Sequence, residues 1–230
     1  MNIFSVITLI LVLVNIVFPQ DSSPFRIGIK GGLNFSTITG AERRYTGNLS
    51  ENQNKLGYNL GIITDKKIDS MFAVQFEVLY NNTGSKWGQP LIGLGYDGDY
   101  AIYELKYLTV SAIGKFKSRI GDLIKDFDFV LGASYSYNLS ARQKWVVEIY
   151  GDYNFETGPS DIRSQINQHE FGIVYGIKFP IAKRKYYLSI LFYNALTTLY
   201  SRTIPLYKDD FTNKLEMRNN NLSICFDLFF

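Results

Sequence analysis

The residues able to carry chemistry in this chain are few, and their spacing limits what they can do. His169 is the only histidine, and Glu170 follows it. A histidine base needs a nucleophile within hydrogen-bond reach and a third group to orient it. Ser134, Ser136 and Ser164 offer hydroxyls, so hydrolysis or acyl transfer is one chemistry to consider. Neighbours in a strand point to opposite faces, so His169 and Glu170 are no dyad in an extended segment. The ordinary alternative is a histidine at an exposed loop edge. Gly93-Leu-Gly-Tyr-Asp-Gly98 fits G-x-G-x-x-G, but a dinucleotide site needs a strand before that motif and a helix after it. Asp99-Tyr-Ala-Ile-Tyr-Glu104 follows instead, and reads as a loop entering a strand. Asp97, Asp99, Asp209 and Asp210 could recruit a divalent cation or bridge lipopolysaccharide, although clustered loop acids are ordinarily just solvated. Lys183-Arg184-Lys185 could meet anionic head groups, or simply be a charged turn. Cys225 is the only cysteine, which excludes an intrachain disulfide and a cysteine metal cluster. The expectation is therefore no catalytic, cofactor-binding or metal residue and no cofactor.

The elements that would have to position these residues are strands. Aromatic residues make up 16% of the chain, with 17 Tyr and 17 Phe but only 2 Trp, a composition suited to strands and interfacial rings. Period-two alternation recurs in eight stretches: 25–35, 56–64, 71–81, 103–116, 127–140, 170–179, 186–199 and 219–230. In the first, Phe25, Ile27, Ile29, Leu33 and Phe35 share one face, while Arg26, Lys30 and Asn34 take the other. In the fourth, Leu108, Val110, Ala112 and Phe116 share a face. Across the set, Arg26, Lys30, Glu77, Glu104, Lys106, Asp128, Lys178 and Asp227 are assigned to the charged face. No amphipathic helix or second sheet is available to cover the apolar face. Lipid can cover it, and closing the sheet leaves no unpaired edge in hydrocarbon.

The connections sort by length. Segments 65–70, 118–126 and 181–185 are short, whereas 36–55, 82–102, 141–169 and 200–218 are long and polar. Strict alternation of long and short connections is the asymmetry of an up-and-down outer-membrane barrel. With an even strand count, both termini are expected on the periplasmic side. Eight strands enclose room for side chains or one small ligand, so inward charges are expected to pair and fill the lumen. Residues 1–20 read as a signal peptide ahead of a barrel at 25–230. Ile3 to Phe18 is almost unbroken apolar sequence, shorter than the roughly 20 residues of a spanning helix, and Pro19 to Ser23 follow as at a cleavage site. At the other end, Leu222, Ile224, Phe226, Leu228 and Phe230 keep one face apolar to the last residue. That ending resembles the signal read by barrel-assembly machinery.

Gly28-Ile-Lys-Gly-Gly-Leu-Asn-Phe-Ser36, Gln75-Phe-Glu-Val-Leu-Tyr-Asn81, Tyr107-Leu108 with its apolar continuation, Phe129-Val-Leu-Gly-Ala-Ser-Tyr135, Phe171-Gly-Ile-Val-Tyr-Gly176, Tyr193-Asn194 and the Asn220-to-Phe230 ending occur in order across residues 25–230. Together they resemble the PorT-like outer-membrane β-barrel family of Bacteroidota. Ser111 stands where that family commonly has proline, and the 129–135 stretch also lacks its proline. The resemblance implies an all-β, eight-stranded antiparallel transmembrane barrel in the bacterial outer membrane. The resemblance does not settle function; the leading expectation is a non-enzymatic envelope or secretion-accessory role exercised through loops or rim. Two other readings stay open: a barrel enzyme acting on lipid A or phospholipid, and a small-ligand pore or carrier. The expected partners are outer-membrane lipid and lipopolysaccharide, the assembly machinery through the C-terminal strand, and secretion-system components. A net charge of +3 with scattered cations gives no phosphate-tracking patch, so nucleic acid is not expected.

Overall fold

A computed structural model describes residues 25–39, 51–89, 96–120, 124–149, 153–181, 185–199 and 217–230. The leader expected at 1–20 lies outside them. So do Gly93, Gly95, Asp209, Asp210, Lys183 and Arg184. Ten strands run in chain order: β1 Phe25–Thr39, β2 Glu51–Lys67, β3 Phe72–Gln89, β4 Tyr96–Ile120, β5 Ile124–Ile149, β6 Tyr153–Glu156, β7 Ser160–Asp161, β8 His169–Pro180, β9 Tyr186–Ala195 and β10 Arg218–Phe229. Eight of them close on themselves in the order β1-β2-β3-β4-β5-β8-β9-β10, and β10 pairs back onto β1. Every pairing is antiparallel. The closing seam runs unbroken from Gly28↔Phe229 to Thr39↔Arg218, so neither terminal strand offers a free edge.

The period-two code sets which side chains face outward. Ile27, Ile29 and Leu33 of β1, Leu60 and Ile62 of β2, Leu131 of β5, Phe171 and Ile173 of β8 and Ile224 and Phe226 of β10 are all exposed. In water such a continuous apolar surface would be a liability, and in lipid it is the required outer face. Alternate residues of the same strands, Lys30, Asn34, Asp65, Ser136, Lys178 and Asp227, and Glu77 of β3 are buried inside. The expected faces of the terminal strand hold throughout: Asn221, Ser223, Cys225, Asp227 and Phe229 are buried while Ile224, Phe226 and Phe230 are exposed.

Three expectations need correction. Much of what reads as loop is strand, because β3, β4 and β5 run far beyond the apolar belt; β4 and β5 reach 25 and 26 residues. Polar residues there still alternate and still find ladder partners, as Lys86↔Ile102 and Glu104↔Arg142 do. Part of the long 141–169 connection also pairs, since β6 and β7 lie along the edge of β5 that extends past β8. Finally, Glu104 and Lys106 do not face the lumen. They share the parity of Leu108 and Val110 and so point outward, where Glu104 pairs with Lys55 at 3.5 Å. Their charge is tolerated because the β4 wall has already turned polar at that height.

Candidate functional site

The lumen is filled in three layers. In the first layer, on the side of the short turns, Lys30 of β1, Gln75 and Glu77 of β3, Lys178 of β8, Ser189 of β9 and Asp227 of β10 meet across the barrel. Lys178 Nζ donates to Asp227 Oδ2 at 2.7 Å and to Gln75 Oε1 at 2.9 Å. It also lies 3.7 Å from Glu77 Oε1. Lys30 Nζ donates to Glu77 Oε1 and lies 3.8 Å from Asp227 Oδ1. Ser189 Oγ donates to Asp227 Oδ2 at 3.2 Å. Two ammonium groups thus face two carboxylates, with all four residues buried. Burying a charge is tolerable only when it is paired and hydrogen-bonded, and losing one partner strands the rest. At the short-turn edge of this same layer, Arg26 and Lys115 both reach Asp65 Oδ2, Lys115 at 2.9 Å. These two cations also lie over the ring of Phe229, and Lys115 lies over Tyr187 as well.

The middle layer is neutral except for Glu170. Tyr193 OH donates to Glu170 Oε1 at 2.7 Å. Asn59 Nδ2 and Ser223 Oγ both donate to Asn34 Oδ1 at 2.7 Å. Thr109 and Ser136 share a hydrogen bond of 2.8 Å. Gly172 makes room for this arrangement: a Cβ at that position would come within 2.6 Å of the Tyr193 ring. A cavity of about 50 Å³ remains here, bounded among others by Tyr107, Glu170, Tyr193 and Asn219. Pockets for small molecules are typically several hundred Å³.

The third layer, toward the long loops, is apolar, which departs from the expectation of a lumen plugged by polar pairs alone. Ile38, Ala101, Tyr103, Leu105, Tyr107 and Ala141 of the walls enclose Ile162, Ile166, Leu199 and Met217. The 157–168 segment delivers two of these. Ile162 N–H donates to Ala141 O at 3.0 Å, and Asn167 N–H to Leu199 O at 2.7 Å. The chain there folds inward over the barrel mouth, held from outside by Arg163 donating to Tyr137 OH at 3.1 Å.

His169 and Glu170 take opposite faces, as strand geometry requires. His169 is exposed, hydrogen-bonded through Nδ1 to Tyr135 OH at 2.6 Å and stacked with that ring. Tyr137 and Phe171 complete an aromatic group at this height. Ser134 and Ser136 are buried in the lumen and Ser164 is an exposed loop residue, so the wall separates His169 from the two strand hydroxyls. Gly98 and Asp99 sit on β4, and no helix follows them. Among the described residues, no three His, Cys, Asp or Glu side chains come together as a metal site would need.

The sequence profile of the family described as "Outer membrane protein beta-barrel domain" matches residues 18–201. The chain belongs to that family. Solved structures similar to this outer-membrane barrel include Neisserial surface protein A, with 12% identity and a TM-score of 0.42, covering 89% of this chain and 97% of that one. The attachment invasion locus protein Ail of Yersinia pestis has 13% identity and a TM-score of 0.41, covering 89% and 98%. OprG from Pseudomonas aeruginosa has 11% identity and a TM-score of 0.39, covering 90% and 97%. No curated protein matches the chain.

Reading strands alone marked Lys30, Glu77, Lys178 and Asp227 as inward charges but missed Asp65 and Lys115. Asp65 fell in a presumed turn, and Lys115 went uncounted although it has the parity of Ser111 and Ile113. One more period-two step past residue 64 reaches Asp65, and carrying the count along the whole 103–116 stretch reaches Lys115. Ile162 and Ile166 carry no periodic signal, because only the folded mouth makes them a pair.

Proposed function

We propose that this outer-membrane barrel is a non-conducting, non-enzymatic envelope component of the PorT-like, Bacteroidota type, working through its loops or its short-turn rim as a secretion accessory. In this reading both termini face the periplasm, a signal peptide delivers the chain, and the terminal strand engages the assembly machinery. Lipopolysaccharide surrounds the outer rim. The observation that supports it is the filled lumen. An apolar layer, a polar layer and a cross-barrel ion network lie in series, and a solute would have to displace all three.

The same observation weighs against a pore or carrier, since the central cavity of about 50 Å³ holds little more than a few waters. An enzyme acting on lipid draws no support from His169, whose described partners are aromatic. Purified barrel in planar bilayers is expected to give no stable single-channel steps up to 1 M salt (roughly a 3 Å Debye length). Discrete, reproducible conductance would sink the non-conducting reading. Affinity purification of the tagged chain from native outer membrane tests the accessory role. Co-purifying secretion components are expected, and recovery of the barrel alone would refute it.

A further inference from the structure

Glu170 carries the charge of the middle layer, and its surroundings do not answer that charge. It is buried on the inner face of β8. Tyr193 OH donates to its Oε1 at 2.7 Å, and Tyr107 and Asn219 stand beside the same carboxylate. Among the described residues, no lysine or arginine forms an ion pair with it. Lys30 lines the same cavity but is held by Glu77 and Asp227. All the residues around this cavity of about 50 Å³ belong to wall strands, so no turn or loop supplies part of it. Three further oxygens that border it are unpartnered: Tyr107 OH, which falls short of hydrogen-bond geometry, Asn219 Oδ1 and Asn221 Oδ1. Each of these side chains is at least nine-tenths buried. A buried carboxylate without a counter-charge and buried oxygens without donors are both costly, and such groups in a folded protein point to a bound water or ion.

We propose that the middle of the lumen is a binding site for one monovalent alkali cation, sodium or potassium, taken by Glu170 with Tyr107, Asn219 and Asn221. A set made only of oxygens suits a hard cation, and one carboxylate balances one positive charge. A divalent ion calls for more carboxylates, and among the described residues no three acids gather. A proton on Glu170 would satisfy at most one of the waiting acceptors, and a water would leave the carboxylate charge buried. A cation answers the charge and the acceptors together. The cavity of about 50 Å³ has room for one ion and a water or two, at roughly 10–15 Å³ for each water-sized occupant. The site belongs to the barrel interior and would survive failure of the secretion-accessory reading.

The test uses the full chain, refolded in detergent micelles with choline chloride as the only salt. Sodium chloride and potassium chloride then replace choline in separate titrations at constant ionic strength. Choline is too large for the cavity, so general screening is held fixed while the candidate ion varies. NMR shifts of the backbone amides of 169–171 and 219–221 report binding, and the side-chain carboxyl carbon of Glu170 reports its protonation. Saturable shifts with at least one alkali ion are expected, with Glu170 ionised at saturation. Glu170→Gln keeps the shape and removes the charge, and should weaken binding at least tenfold while heat-modifiable gel migration shows the barrel intact. Tyr107→Phe removes one oxygen, should weaken binding severalfold, and covers the case in which Glu170→Gln fails to fold. Absence of saturable alkali-specific shifts overturns the site, as does a Glu170 carboxyl still protonated at pH 8 in excess sodium and potassium. Binding unchanged in Glu170→Gln, or in Tyr107→Phe where the first variant does not fold, overturns it as well.

Discussion

At the scale of single residues, the energetic centre of the molecule is the set Lys30, Glu77, Lys178 and Asp227. Asp227 answers both lysines and takes a hydrogen bond from Ser189. Replacing it with alanine leaves two buried ammonium groups with only Glu77. Asp227→Ala is expected to lower unfolding stability by ~3–5 kcal/mol, the usual cost of stranding one member of a buried ion group. Adding Lys178→Met should recover part of that loss, because one charge then faces one again. Urea unfolding in phospholipid vesicles measures both. A double variant no more stable than Asp227→Ala would mean that the four residues do not act as a charge-balanced unit.

At the scale of elements, the 157–168 segment decides whether the mouth is closed. It is anchored along the free edge of β5 by β6 and β7 and pressed inward by Ile162 and Ile166. Burying an isoleucine contributes about 1.5–3 kcal/mol. Ile162→Asp removes that contribution and adds a charge that favours solvent, so the segment should lift without unfolding the barrel. Cleavage by trypsin after Arg163 is expected to speed up by about tenfold or more, since proteolysis follows the population of the open form. Mass spectrometry of early digestion products measures this. An unchanged cleavage rate would show that the segment is not held by its apolar contacts.

At the scale of the whole molecule, closure through β1 and β10 makes a unit that ordinary detergent does not open. Heat-modifiable migration is expected, with boiled and unboiled samples running apart; a single position would contradict a closed barrel. Phe230 belongs to the same scale. It lies outside the wall with 75% of its surface exposed, and its N–H donates to Ile27 O at 2.9 Å, a bond that any residue type can make. Phe230→Ala should therefore leave the stability of refolded barrel within about 0.5 kcal/mol, as is usual for exposed sites. It should reduce the amount inserted in cells, as judged by protease-resistant barrel in isolated outer membranes. Equal insertion would remove the assembly role from this residue.

The sequence by itself determined the strand faces, the even count and the sorting of connections. These depend on a local rule, that side chains alternate along an extended chain, and Leu222 to Phe230 obey it to the end. The rule also told that Lys30, Glu77, Lys178 and Asp227 point inward, and that His169 and Glu170 part company. Charge misleads at Glu104 and Lys106, which suggest the lumen by type but lie outside by their parity with Leu108. Tertiary structure alone decided which inward residues meet. Lys178 and Gln75 lie 103 positions apart in the chain, and only the closure of β10 onto β1 and the tilt of the wall bring them to one height. The apolar mouth was decided there too. Ile162 and Ile166 have no partner until Tyr103 and Leu105 of β4 and Met217 converge from two other parts of the chain, and hydrophobic contact, being non-directional, leaves no local pattern to read.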